Sequence, residues 1–274
     1  MDPHLQHLPR EPRPGGRPGP RRRRGVAHRA AAVTYGDAVD RDQATARADL
    51  DRLVARAAAG GLGPPAEVHR FDPRTQGDYR PAAVLLLFTP TTAPGSGFPG
   101  LDLFLVQRSP LLRHHPGQIA LPGGRADAQD AGPAQTALRE AHEEIGLAAD
   151  RVEVLGLLAP VAVPISRFVV TPVVGWCGDA TGQDDVEPGE VLHTLRLPVG
   201  GLLDPACRAT VTIRGHGSAG FAVSGGWVWG FTGNLLDGVF DELGWTRPWD
   251  RGRRYRMSLA EARGETLPPL TADA

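Results

Sequence analysis

The order of apolar and polar residues predicts a few helices in a sequence that is otherwise rich in strands. At residues 37–59, apolar residues recur at helical spacing, and the following GGLGPP segment ends that helix. The continuous apolar run at 81–88 is typical of a buried strand, and 101–109 predicts a second one. Further segments predict strands within 152–163, 168–177, 190–199 and 209–215, and helices at about 133–146 and 233–244.

These elements predict one α/β domain, with a mixed sheet and helices packed on its faces. The domain is expected at residues 75–250, after an N-terminal helix and linker at 36–74. Residues 1–35 are rich in Arg, Pro and Gly and have little to bury, so they are predicted to form a disordered tail. Residues 251–274 are interpreted as a C-terminal tail.

Composition argues against several classes of protein. With a formal net charge of −1, the chain has no overall field for nucleic acid, so no nucleic-acid partner is expected. The four arginines at 21–24 are interpreted as part of the solvated tail. No apolar run approaches the roughly 18 to 20 residues of a membrane span, so no membrane partner is expected either. Two cysteines are too few for a disulfide framework, which favours a reduced, cytoplasmic protein.

The segment REAHEEIGL, residues 139–147, places three glutamates within five positions: Glu140, Glu143 and Glu144. On a helix they project from one side, while the apolar residues cluster on the other. Like charges at this spacing repel by a few tenths of a kcal/mol per pair. Two interpretations stay open from the helix alone. The patch is either a solvated acidic face or a site for Mg²⁺ or Mn²⁺, which prefer oxygen ligands.

The residues before this helix favour the metal site. Gly123 and Gly124 stand in tandem, and glycines allow a ligand to approach the backbone closely. Upstream, Arg108 and Arg113 are candidate phosphate-binding residues. Asp130 is interpreted as a cap near the start of the helix. Glycines, arginines and a carboxylate patch in this order suit a substrate that carries a metal-bound diphosphate.

Together these segments resemble the Nudix hydrolases. GG…REAHEEIGL looks like their R-E-U-x-E-E-x-G-U signature, whose fixed positions are matched by Arg139, Glu140, Glu143, Glu144 and Gly146. The upstream stretch is similar to an additional motif of the coenzyme A pyrophosphatase branch, matched by Arg108, Ser109, Arg113, Gly117, Pro122, Gly123 and Gly124. The resemblance covers about residues 80–245. It implies the Nudix fold, a mixed β-sheet sandwiched between α-helices.

The resemblance further implies hydrolysis of a nucleoside diphosphate linked to another group, with Mg²⁺ or Mn²⁺ as cofactor. For this branch the substrate is coenzyme A, which yields 3′,5′-ADP and 4′-phosphopantetheine. Glu140 and Glu144 are the expected metal ligands, and Glu143 is a third ligand or a base that orients water. Arg139 joins the catalytic set by positioning the glutamates. Glu190 is either a base or auxiliary ligand, or an exposed loop acid.

The implied substrate-binding residues are Arg108, Arg113, Gly123 and Gly124, and Gly124 is also a candidate to offer a backbone carbonyl to the metal. The sequence departs from the branch motif at three apolar-compatible positions: Phe104, Val106 and Leu121. Where the general pattern has a glutamate eight residues before Arg139, the chain has Ala131. The loop there is one residue longer and carries aspartates, a feature interpreted as belonging to the branch. The absence of that glutamate removes one outer metal ligand.

Two rival functions stay open. The first is a Nudix hydrolase that acts on ADP-ribose, NADH or (deoxy)nucleoside triphosphates. The second is a catalytically silent Nudix-like module that binds a nucleotide and regulates a partner, although the intact glutamates weigh against it. In every case the expected partner is a small nucleotide-diphosphate molecule, and assembly as a homodimer is left open.

Overall fold

A computed structural model describes residues 35–62, 69–70, 72, 75, 77–91, 97–112, 114–180 and 189–266. All of these belong to one unit, Thr34–Ala274. The tail predicted at 1–35 lies outside the described residues except for residue 35, and so does the candidate phosphate ligand Arg113.

The described ranges contain the following helices and strands. The helices are α1 (Tyr35–Ala58), α2 (Pro133–Ile145), α3 (Val199–Leu202), α4 (Gly230–Glu242) and α5 (Leu259–Ala262). The strands are β1 (His69–Arg70), β2 (Arg80–Pro90), β3 (Leu101–Arg108), β4 (Ile119–Ala120), β5 (Gly123–Arg125), β6 (Glu153–Leu157), β7 (Val161–Val163), β8 (Phe168–Trp176), β9 (Val191–Pro198), β10 (Arg208–Ile213), β11 (His216–Val223), β12 (Gly226–Val228) and β13 (Arg254–Arg256).

The larger sheet is mixed, as the sequence predicts. Its strands follow the order β1-β7-β8-β2-β3-β4, with β5 also paired to β2, β6 to β8 and β9 to β3. The pair β2–β8 is parallel over nine registered positions, whereas β2–β3 and β2–β5 are antiparallel. Because β5 pairs with the first half of β2, it is held directly beside the α2 helix that follows it.

Both faces of this sheet are buried, which explains the uninterrupted apolar run of β2. Leu86 and Phe88 point to one face and share a core with Leu50 of α1. Leu85 and Leu87 point to the other face and pack in a core with α2. Successive side chains of a strand point to opposite faces, so burial on both sides requires an apolar residue at every position. The sheet sandwiched between helices is therefore confirmed.

A second sheet, in the order β12-β11-β10-β13, carries α4 on one face. A Cβ atom added to Gly233 of α4 would lie 2.2 Å from the carbonyl oxygen of Ala219 in β11, so only glycine permits this close approach. Phe221 of β11 and Phe240 of α4 pack in the same core as Leu50. The second sheet and the α1 face of the larger sheet thus share one hydrophobic core.

The predicted helices are confirmed, with shifted boundaries at α1 and α4. The segment 152–163 was predicted as one strand candidate, and it forms two strands, β6 and β7. Residues 254–262 were expected in a C-terminal tail, but they form β13 and α5, and β13 pairs in parallel with β10. β13 is too short to produce a recognisable alternation of apolar and polar residues. Among the described helices, none is both long and apolar enough to span a bilayer.

A buried ion pair joins the second sheet to α4. Arg208 is 1% exposed and donates to Asp237 of α4, whose other oxygen accepts from Arg251 at 3.0 Å. The Arg208 guanidinium also lies 4.0 Å from the Phe221 ring centroid and 4.6 Å from that of Trp249. Burial lowers the pKa of Arg208 from its usual value. A cation that deep depends on its carboxylate partner.

We therefore expect Asp237→Ala to lower the free energy of unfolding by about 3–5 kcal/mol, because it leaves Arg208 buried without a counter-charge. The matched control is Glu242→Ala on the same helix, which removes an exposed pair with Arg56 at 2.8 Å. That change is expected to cost under about 1 kcal/mol. Denaturant unfolding of both variants measures the difference, and equal losses would contradict the assignment.

Candidate active site

A cavity of about 570 Å³ opens where β3, β5, α2 and the start of β9 meet. It is lined by Arg108, Gly123, Gly124, Arg125, Asp127, Arg139, Glu140, Glu143, Glu144, Glu190 and Val191. Every predicted site residue that the structure describes is in this set. Arg125 and Asp127 belong to it as well, and no signal in the sequence had marked Arg125. Its volume lies in the range typical of small-molecule sites.

The tandem glycines bring the main chain of β5 against the α2 carboxylates. Gly123 has a φ of 151°, and a Cβ there would lie 2.3 Å from the carbonyl oxygen of Ala83. A Cβ on Gly124 would lie 2.6 Å from the carboxylate of Glu140. Gly123 therefore has to be glycine for its backbone path, whereas a larger residue in place of Gly124 would push the end of the Glu140 side chain aside.

Glu144 is buried, so the interpretation of a solvated acidic face is wrong for this residue. It is 5% exposed, and its Oε2 accepts a hydrogen bond from the Gly123 N–H at 2.8 Å. Its Oε1 lies 3.6 Å from Arg108, the cation that helical spacing could not reveal. Burial raises the pKa of Glu144 to about 7, against the opposing effect of that hydrogen bond. Burial also raises the pKa of Glu140.

Arg139 joins the loop after β5 to α2. Its Nη1 contacts Glu140 at 2.9 Å and Glu143 at 3.2 Å, while Nη2 donates to the Arg125 carbonyl at 2.9 Å. Nε and Nη2 also reach the Asp130 carboxylate, at 3.3 and 3.1 Å. All three nitrogens are engaged with protein groups. This arrangement fits a residue that positions the glutamates rather than one that contacts substrate.

Asp130 does not cap the helix. The residue at the cap of α2 is Gly132, with no side-chain hydrogen bond, and Pro133 follows in the first turn. Asp130 instead accepts from Arg139, and these hydrogen bonds lower the pKa of Asp130 to about 2. The end of the helix is as predicted, because Gly146 adopts the left-handed conformation with a φ of 67°.

Glu143 and Glu190 are the two most exposed carboxylates of the cavity, with side chains 56% and 71% exposed. Glu190 is an exposed loop acid, as one interpretation held, yet it also faces the site. Its negative charge raises the pKa of both Glu140 and Glu144. The main-chain oxygen of Glu190 accepts from the Ser109 N–H at 2.7 Å, which ties its loop to the end of β3.

Arg108 is a cation with loose contacts. It lies 3.6 Å from Glu144 and 3.4 Å from Glu190, whereas well-formed charge-assisted bonds measure about 2.7–2.9 Å. Its Nε is buried and has no hydrogen-bond partner. The Nη atoms of Arg108, whose contacts are long, are therefore less firmly held than those of Arg139.

The lining of the cavity carries five carboxylates and three guanidinium groups, a formal excess of two negative charges. Among the residues that the structure describes, no three His, Cys, Asp or Glu side chains form a group that could hold a metal ion. Glu140 and Glu143 are held by Arg139, and Glu144 is held by the Gly123 N–H. The glutamates are thus adjacent but separately restrained.

The raised pKa of Glu144 makes stability depend on pH. The folded protein binds this proton more tightly than the unfolded chain, so stability is lost as pH rises from about 4.5 to about 7. In metal-free buffer, Glu144→Gln should therefore gain about 2–3 kcal/mol relative to wild type between pH 5 and pH 8. Glu143→Gln is the matched exposed control. Parallel stability curves for wild type and Glu144→Gln would contradict this expectation.

Comparison with known proteins identifies the family. A family model described as NUDIX domain matches residues 78–205. A Klebsiella aerogenes protein named as an uncharacterized Nudix hydrolase, NudL, is 48% identical over 98 residues, which cover 36% of this chain and 75% of that protein. The Klebsiella pneumoniae protein of the same name is 49% identical over 98 residues, which cover 36% of this chain and 47% of that relative. The chain thus spans about half the length of that relative.

Among solved structures, the Nudix hydrolase RenU from M. smegmatis aligns with 28% identity over 44% of this chain and 71% of that chain, with a TM-score of 0.35. The family assignment itself depends on the matched domain and on the Klebsiella aerogenes relative. The matched domain covers the cavity-forming strands and α2, whose glutamates line the site described above. The chain belongs to the Nudix hydrolase family.

Proposed function

We propose that the protein is a metal-dependent diphosphatase that cleaves coenzyme A, or an acyl-CoA, into 3′,5′-ADP and a 4′-phosphopantetheine product. The observation that carries this proposal is the buried Glu144, which lies beside Glu140 in a cavity with excess negative charge. Such a cavity repels a diphosphate unless cations neutralise it. A divalent cation shared between protein carboxylates and substrate phosphates removes both repulsions.

The residues present fit Mg²⁺ or Mn²⁺. These ions are bound through one or two carboxylates, several waters and substrate phosphates rather than by a closed cage of protein ligands. A pair of carboxylates with raised pKa values favours a bound cation, because the cation stabilises their charged forms. The missing side chain at Gly124 leaves the Glu140 carboxylate directly against the main chain, where a Cβ would displace it.

Each residue then has a defined role. Glu140 and Glu144 would hold the metal, which when bound neutralises the diphosphate and activates water. Arg108, whose Nη atoms make only long contacts within the cavity, binds a phosphoryl oxygen. Glu143 or Glu190, the two most exposed carboxylates, orients the attacking water. Arg139 keeps Glu140 and Glu143 in place.

The choice of coenzyme A rests on the branch-like motif. Arg108 of that motif lines the cavity, and the neighbouring Ser109 fixes the Glu190 loop through its N–H. Gly117 adopts a φ of 68°, so its position in the motif needs a residue that tolerates a left-handed backbone. The position of Arg108 and the main-chain contact of Ser109 connect the additional motif to the cavity.

Incubation with Mg²⁺ or Mn²⁺ and a panel of coenzyme A, acetyl-CoA, NADH, ADP-ribose and deoxynucleoside triphosphates tests the proposal. Chromatography should show 3′,5′-ADP released from coenzyme A. Glu144→Gln should reduce that rate by at least about 100-fold, because it removes a charge at the metal. Turnover of ADP-ribose with coenzyme A intact would overturn the substrate assignment. No turnover of any compound would favour the nucleotide-binding module.

Alanine substitutions at the two adjacent glycines should separate folding from metal binding. Gly123→Ala is expected to destabilise the fold by at least about 2 kcal/mol, because it combines strained backbone with a main-chain clash. Gly124→Ala meets only the end of the Glu140 side chain, so the fold should change by under about 1 kcal/mol. Its Mn²⁺ affinity should nevertheless fall about tenfold. Calorimetric titration measures this, and unchanged affinity would contradict the placement of Glu140.

A further inference from the structure

Asp130 is the most completely bonded carboxylate near the cavity. Its Oδ2 accepts from the Asp127 N–H at 2.9 Å, from Thr136 Oγ1 at 2.9 Å and from Arg139 Nη2 at 3.1 Å. Its Oδ1 accepts from Arg139 Nε at 3.3 Å. The side chain is only 2% exposed. Four protein donors therefore surround this carboxylate, three at Oδ2 and one at Oδ1.

Burial decides what Asp130 can do. A carboxylate that is 2% exposed, is surrounded by protein donors and does not line the cavity is not open to a metal ion or to substrate. One of its donors, the guanidinium of Arg139, does reach the site and contacts Glu140 and Glu143. The neighbour Ala131 has no polar side chain and cannot take this role.

The guanidinium of Arg139 is divided between two sets of partners. One edge, Nε and Nη2, faces Asp130, and the remaining nitrogen, Nη1, faces Glu140 at 2.9 Å and Glu143 at 3.2 Å. A guanidinium is planar and rigid, so fixing one edge fixes the direction of the other nitrogen. The orientation of Arg139, and with it the placement of two glutamates, is therefore set from the loop.

We propose that Asp130 is a positioning residue that acts through Arg139 to place Glu140 and Glu143 for binding a divalent cation. The chemical consequence rests on the proposed diphosphatase function, whereas the effect on cation binding does not. Thr136 supports this arrangement, since it is fully buried and its hydroxyl donates to Asp130. The loop after β5 and the first turn of α2 thus determine the geometry of the carboxylates.

The first experiment is calorimetric titration of Mn²⁺ into the metal-free full-length chain. Asp130→Asn should weaken Mn²⁺ binding about tenfold or more, the usual loss when a group that orients a ligand is removed. Asp150→Asn is the matched comparison, because it removes the same charge from an exposed turn after α2 that does not line the cavity. Its effect should stay within about twofold.

A double-mutant cycle distinguishes positioning from a general loss of loop stability. If Asp130 acts through Arg139, Asp130→Asn should change Mn²⁺ affinity by less than about twofold in an Arg139→Gln background. Equal losses in both backgrounds would overturn the proposal, and so would wild-type affinity in Asp130→Asn or a wild-type chain that binds no Mn²⁺. Thermal unfolding of each variant shows that the fold is retained.

If Asp130→Asn does not fold, Thr136→Val replaces it, since this change keeps the charge and removes one hydrogen bond. A loss of about threefold in Mn²⁺ affinity supports the proposal, and unchanged affinity overturns it. The proposed function can fail separately. A chain that binds Mn²⁺, follows the expected cycle and hydrolyses none of the nucleotides would retain the role of Asp130 and lose the diphosphatase assignment.

Discussion

The candidate site depends on one guanidinium group. Arg139 holds the carboxylates of Asp130, Glu140 and Glu143 and the carbonyl of Arg125, so it joins the loop after β5 to the side of α2. The acids of α2 repel one another, and this cation offsets much of that repulsion in the absence of metal. Glu144 lies beyond its reach and is held by the Gly123 N–H instead. Two restraints of different kinds thus keep adjacent acids in separate places.

The larger sheet makes this arrangement possible because it is buried on both faces. Packing α2 against one face directs its apolar side into the core and turns its acids toward β5. The antiparallel pairing of β5 with β2 then fixes Gly124 beside Glu140. The position of the carboxylates follows from the sheet register, not from the helix alone. A register shift of one residue would present a different backbone group to α2.

Much of the fold could be predicted, because the continuous apolar run of β2 and the helical spacing of apolar residues in α1 and α2 directly indicate which side chains are buried. The predicted site residues that the structure describes also line the cavity, and most of them belong to a motif that is continuous in sequence, whereas Arg125 was not predicted. The burial of Glu144 was not predicted either, because helical periodicity assigns a face but does not show what covers it. The pairing of Asp130 with Arg139, nine residues away, was not predicted because it depends on the path of the loop between them. The strand β11, rich in small residues, has no period that would reveal it.

The shared core sets a limit on how the chain can be divided. The family match ends at residue 205, yet Phe221, Val228 and Phe240 pack in the same cluster as Leu50 and Phe88. A chain shortened to the matched segment would expose a wide apolar surface on the α1 side of the larger sheet, the kind of patch that promotes aggregation. The segment that carries the candidate active site is therefore shorter than the segment needed to complete the hydrophobic core.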